Sequence, residues 1–212
     1  DKSSEALLRK AKIELALGAC IMRDGVNQRE VDEAAAERQL ARAADIFQRN
    51  LHTRRDSLDG NGIGVVYQLL GDLAFEQDAL DVAQANYQSA LNILPEGDHR
   101  NRAIVQSALG RVLERKALSD GRDPEQQGML LEQARTFYES ALNDQQTYDL
   151  LGAAHTHLLL GRLLFEQLGL PQDGRRHLWA AKGLFAELKH PMEASANALL
   201  QPDGADETLS SE

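Results

Sequence analysis

In the stretch LLGDLAFEQDALDVAQANYQSALNILP, from Leu69 to Pro95, the smallest side chains fall at set intervals: Gly71, Ala83 and Ala90, with Tyr87 between the last two. That pattern suits helices that cross closely. At a crossing only a hydrogen or a methyl leaves room for the opposing backbone, and one large ring fills the wider gap beside it. On this reading Gly71 and Ala83 stand where the first helix of a pair meets the second. Tyr87 fills the gap, and Ala90 stands where the second helix meets the following pair. No such pair buries its own apolar face, so the chain must stack pairs.

The signature returns along the chain. GDLAFEQ (Gly71 to Gln77), GRVLERK (Gly110 to Lys116) and GRLLFEQ (Gly161 to Gln167) align, each glycine following a leucine at Leu70, Leu109 or Leu160. After Gly110 the trio is Ala134, Tyr138 and Ala141, delayed by the insertion SDGRDPEQQ; after Gly161 it is Gly174, Leu178 and Ala181. Gly18, Ala43 and Phe47 form the weakest copy. Period-2 alternation is missing, and Ala, Leu, Gln, Glu and Arg outnumber the β-branched residues. Breakers stand at RDGVN, LDGNGIG, PEGDH, SDGRDP, LGLPQDG and KHP, which predicts about nine helices and no sheet. Asp123 reads as an N-cap with Pro124 at the first helical position, and Pro191 as the opening of the last helix.

Tyr67, Leu70, Gly71, Ala83, Tyr87, Ala90 and Pro95 match, without a gap, the pattern of the tetratricopeptide repeat (TPR), which the chain resembles from about residue 8 to 190. The resemblance implies an all-α fold: a right-handed α-α superhelix, or solenoid, of about four TPR-like helix pairs with a C-terminal capping helix. The expected pairs are 8–58, 62–96, 99–145 and 148–189, with the cap at 191–200, all in a single domain 1–200. Residues 201–212, QPDGADETLSSE, read as a disordered acidic tail. The signature glycines lie about 39 to 53 residues apart, wider than the family's roughly 34-residue unit, so longer helices are expected.

Composition narrows the partners. A net charge of −10 over 212 residues repels phosphate backbones and anionic lipid surfaces, so neither nucleic acid nor membrane is expected. No apolar window is long enough to span a bilayer. The chain starts at Asp1, without Met or a leader, and reads as a trimmed piece of a cytoplasmic protein before which a targeting segment could have stood. Cys20, in ALGACIM, reads as a buried thiol packed as a small hydrophobe. His155 and His157 point to opposite sides of a helix and cannot share an ion. His52, His99, His177 and His190 lack a carboxylate or Cys at a ligand spacing, so no metal is expected. DGNGIG fails as a calcium loop, with Ile63 at a ligand position and Leu70 where the bidentate Glu belongs, and it fails as a dinucleotide fingerprint. It reads as a flexible turn between repeats. No serine or cysteine sits in a nucleophile elbow. A non-enzymatic protein without cofactor is expected.

The resemblance also implies a binding face, because peptides in this family lie along the first helix of each unit. The corresponding positions are Val65, Gln68, Asp72, Phe75 and Glu76, then Ile104, Ser107, Arg111, Glu114 and Arg115, then His155, Leu158, Arg162, Phe165 and Glu166. The Lys/Asn/Arg clamp that some members use for a chain-terminal carboxylate is missing, since Gln68, Asp72, Ala108, His155 and Leu159 stand in its places. What remains is Arg111, Arg115 and Arg162 with Phe75, Phe165 and His155, a groove for a peptide with acidic and apolar residues. Alternatively these arginines pair with Asp72, Glu76, Glu114 and Glu166 along one ridge. The expected function is a protein-protein interaction module or scaffold, monomeric or homodimeric, within a larger regulatory or signalling protein. The alternatives are a small secretion-type chaperone and a ligand-sensing domain.

Overall fold

Helix-favouring composition and 3.6-residue apolar spacing act locally, and the computed structural model carries them through the chain. It describes residues 2–119, 121, 123–145 and 149–201, with side chains from Glu5 onward. The described residues form nine α-helices and no strand. These are α1 (Lys2–Gln28), α2 (Glu33–Asp56), α3 (Gly60–Glu76), α4 (Leu80–Ile93), α5 (His99–Ala117), α6 (Pro124–Gln145), α7 (Leu150–Arg162), α8 (Pro171–Glu187) and α9 (Glu193–Leu200). Five residues of π-helix, Leu163–Gln167, continue α7. The fold is all-α. The chain divides into two compact units, one ending at Lys116 and the other beginning at Ala117. Of the predicted acidic tail, all but Gln201 lies outside the described residues.

In the first unit α1 and α2 run antiparallel, as do α3 and α4. A Cβ on Gly71 would stand 2.6 Å from the ring of Tyr87, and one on Gly18 would stand 2.7 Å from the ring of Phe47. Each glycine therefore lies flat against an aromatic ring rather than beside an open gap. Ala43, Ala83 and Ala90 are fully buried. The core here joins Leu15, Ile21, Leu40, Phe47, Val66 and Leu70. Tyr67 is half-buried and Pro95 exposed.

In the second unit the tightest crossing is between two glycines. A Cβ on Gly174 would stand 2.8 Å from the Gly161 carbonyl oxygen, and one on Gly161 would meet Leu178 at the same distance. Ala154, Leu158, Leu178, Ala181, Phe185 and Ala196 form the core between α7, α8 and α9. In α6, Ala134, Tyr138 and Ala141 are fully buried.

Three breakers behave differently from expectation. RDGVN lies inside α1, because Gly25 lets α1 approach α2: a Cβ there would come within 3.2 Å of the Ala36 carbonyl oxygen. The turn falls later, and Asp32 caps α2 by accepting from Ala35 N at 2.8 Å. LDGNGIG is not a flexible turn. Asp59 caps α3 by accepting from Gly62 N at 3.1 Å, and the glycines form the first turns of that helix. Pro191 precedes α9 by two residues instead of opening it. Asp123 does cap α6, accepting from Gln126 N at 2.9 Å, with Pro124 first in the helix.

α2, α3 and α8 end alike. Leu58, Asp78 and Lys189 take positive φ (53°, 60° and 51°), and the next amide bonds back to the carbonyl five residues earlier. That left-handed cap normally belongs to Gly or Asn. Leu58 is 91% exposed and gains nothing from its side chain, so Leu58→Gly should raise stability by about 0.5–1 kcal/mol in chemical denaturation. Ala83→Leu, at a fully buried position, should lower it by about 1–3 kcal/mol through overpacking, and an unchanged denaturation midpoint would refute the close crossing.

Candidate functional site

The predicted groove residues of the first unit converge on one another. Phe75 is buried, with the Arg111 guanidinium 4.5 Å and that of Arg115 5.2 Å from its ring centroid. Arg115 also pairs with Asp78 at 3.1 Å, and Lys116 bonds Asp81 at 2.6 Å and Gln84 at 2.8 Å. Asp72 accepts from the Tyr87 hydroxyl at 2.6 Å. Burial pushes the Asp72 carboxyl above its ordinary range, while hydrogen bonds from Tyr87 and Gln68 and the charge of Arg111 act against this. The Tyr87 hydroxyl is pushed up as well, by burial first and then by Asp72. Gln68, Asp72, Phe75, Arg111 and Arg115 thus form a cluster that joins α3 to α4 and α5, with Phe75 buried beneath two exposed arginines. Phe75 offers no free ring, because two planar guanidinium groups lie over it.

In the second unit the predicted residues turn to separate neighbours. His155 bonds the Leu151 carbonyl oxygen through Nδ1 at 2.8 Å and stands edge-on to Phe185 and His190, at centroid distances of 5.1 and 5.5 Å. Phe165 packs along Gly174 with Arg175 at 5.7 Å, and Arg162 is half-buried.

His157 and His177 form a pair that spacing along the chain did not reveal. They face each other from α7 and α8 with Nδ1 atoms 2.8 Å apart. One ring must therefore donate a proton and the other accept it. Burial, reinforced by the charge of His177, lowers the His157 pKa from 6.5 to about 4. His177 is lowered chiefly by burial; Glu139 and Asp173 pull it up, and Arg176 and Arg135 push it down. Among the described residues no three His, Cys, Asp or Glu side chains are placed to hold a metal ion.

Within the first unit a cleft of about 560 Å³ lies between α1 and α3, floored by α2. Its walls are Leu15, Ala16, Ala19, Val65 and Leu69, and its polar residues are Lys12, Arg54, Asp59 and Asn61. Arg54, 2% exposed, donates from Nε to Asn50 Oδ1 at 2.7 Å and pairs with Asp59. Asn50 in turn donates to the Ala11 carbonyl oxygen at 2.6 Å. A Cβ on Gly62 would collide with the Arg54 guanidinium, which accounts for that glycine. The cleft thus rests on a polar frame reaching from α1 through α2 to the start of α3. Of its lining, only Val65 was among the positions drawn from the sequence. Cys20 is exposed, contrary to expectation: α1 turns Leu15, Gly18 and Ile21 inward and leaves Ile13, Leu17 and Cys20 on its outer side.

The fold and this site define a class: paired antiparallel helices, held by close small-residue crossings, with a cleft between the first helices of two successive pairs. No family model matches the chain, and no curated protein does. Among solved structures, the crystal structure of BtubC (BKLC) from P. vanneervenii is similar, with 15% sequence identity, a TM-score of 0.47, and coverage of 95% of this chain and 98% of that one. No described helix is long and apolar enough to cross a membrane.

The histidine pair makes stability depend on pH. Both rings titrate below their ordinary 6.5, so the unfolded chain takes up protons first as the pH falls. The pair's contribution is complete above about pH 6.5 and is lost towards pH 4. The melting temperature should fall through that window, and a His157→Gln/His177→Gln variant should fall less steeply. Equal slopes would exclude the pair as the cause.

Proposed function

We propose that this chain is a non-enzymatic, TPR-like interaction module that seats an extended segment of a partner protein in the cleft between α1 and α3. The observation that carries the reading is the cleft itself: apolar walls on two helices, with Lys12 at its side and a buried, fully framed Arg54 in its floor. A cleft that keeps its shape without a ligand loses little ordering entropy on binding. The family resemblance independently directs peptides to the first helices of successive units, and α1 and α3 hold those places. A cytoplasmic scaffold or docking part of a larger signalling protein is the role that fits this reading. The cleft's volume also favours a second reading, a ligand-sensing domain, because small-molecule sites commonly enclose about 300–1,000 Å³.

Peptides selected from a display library against the purified chain, measured by fluorescence anisotropy, test the reading. Ala16→Arg/Val65→Arg should weaken binding about tenfold or more, while Val82→Arg on exposed α4 should leave it unchanged. Equal loss in both variants, or none, would remove the cleft as the site. A metabolite that raises the melting temperature where no peptide binds would favour the sensing role.

A further inference from the structure

The face of α8 turned away from α7 carries a second feature that the cleft does not use. Trp179, the chain's one tryptophan, is 58% exposed there. Arg175 and Arg176 precede it by one turn, and the Lys182 ammonium lies 4.9 Å from its ring centroid. Asp173 is the one carboxylate paired within the group, 3.4 Å from Arg176. Lys182 also donates to Asn197 Oδ1 at 2.7 Å, and the Arg175 guanidinium lies 5.7 Å from the Phe165 ring centroid. A protein of net charge −10 thus sets three cations within one helical turn of an exposed indole, one of them against its ring. One turn beyond Trp179 stands Gly183, where an added Cβ would meet nothing within 4 Å. Glycine in mid-helix costs stability, and unlike Gly161 or Gly174 this one relieves no contact among the described residues. It leaves a flat shelf beside the indole.

We propose that this face of α8 binds an acidic segment of a partner protein. An apolar side chain of the segment rests on Trp179 and over Gly183, while its carboxylates pair with Arg175 and Arg176. Exposed Arg and Trp are the residue types that anchor such interfaces, and the shelf gives the approaching backbone the room that a larger side chain would fill. The charge of the patch, opposite to that of the chain as a whole, selects for carboxylates.

Trp179 is its own probe, because no other tryptophan contributes to the emission. The purified full chain is titrated with a synthetic peptide of alternating glutamate and leucine, with a lysine–leucine peptide as control. The acidic peptide should shift the emission to the blue and shield the indole from acrylamide, with affinity falling as salt is raised. Arg175→Glu/Arg176→Glu should weaken binding about tenfold or more. Gly183→Leu should weaken it while leaving the melting temperature equal or higher, which separates a lost contact from a lost fold. An emission unchanged by the acidic peptide, or an equal response in the charge-reversed variant, would overturn the proposal. So would stronger binding of anionic vesicles or single-stranded RNA to the same tryptophan.

Discussion

Backbone pressed against ring or backbone, at positions with no side chain to hold them apart, is the contact on which the packing depends. Gly18 lies on Phe47, Gly71 on Tyr87, and Gly161 faces Gly174. The alanines that flank these contacts are fully buried. Small residues bury little apolar area apiece, so the stabilisation comes from density: helix axes draw close and many weak dispersion contacts form at once. The same closeness fixes register. With Tyr87 flat on Gly71, its hydroxyl lands on Asp72, and a polar side chain that would otherwise face water becomes part of the joint between α3 and α4.

Charge is arranged around this packing rather than spread evenly over the surface. Arg54 is buried and would be costly alone, but Asn50 and Asp59 satisfy it, and Asp59 serves at once as the cap of α3. Arg111 and Arg115 lie on Phe75 and extend its burial with their planar heads. Arg111 and Arg115, which the sequence assigns to a groove, thus brace α5 against α3, and Arg162, assigned with them, is half-buried on α7.

Much of the fold is legible from residues alone. The helix-rich composition, the turns at PEGDH and LGLPQDG and the Asp123–Pro124 start are local matters, decided within a few residues. The departures share one cause. Gly25, Gly62 and Gly64 read as breakers because glycine is permissive, yet each stands in a helix to admit a neighbour: Gln39 and Ala36 at Gly25, Arg54 at Gly62 and Leu94 at Gly64. Cys20 reads as buried because its neighbours are apolar, but α1 has an apolar side, with Ile13 and Leu17, that is exposed among the described residues, and Cys20 lies on it. The candidate site was less legible than the fold, with Val65 alone foreseen among the lining of the cleft.

What the order of residues determined by itself is the all-helical character and the spacing of small side chains that helices in close contact require. Both are periodic properties of a single strand of chain. What only the tertiary structure decided is which side chains share a space: Arg54 with Asp59 and Gly62, Arg111 with Phe75, His157 with His177 twenty residues away. Those meetings depend on the rotation of one helix against another. That rotation is set by the sum of many contacts and leaves no period in the sequence to be read.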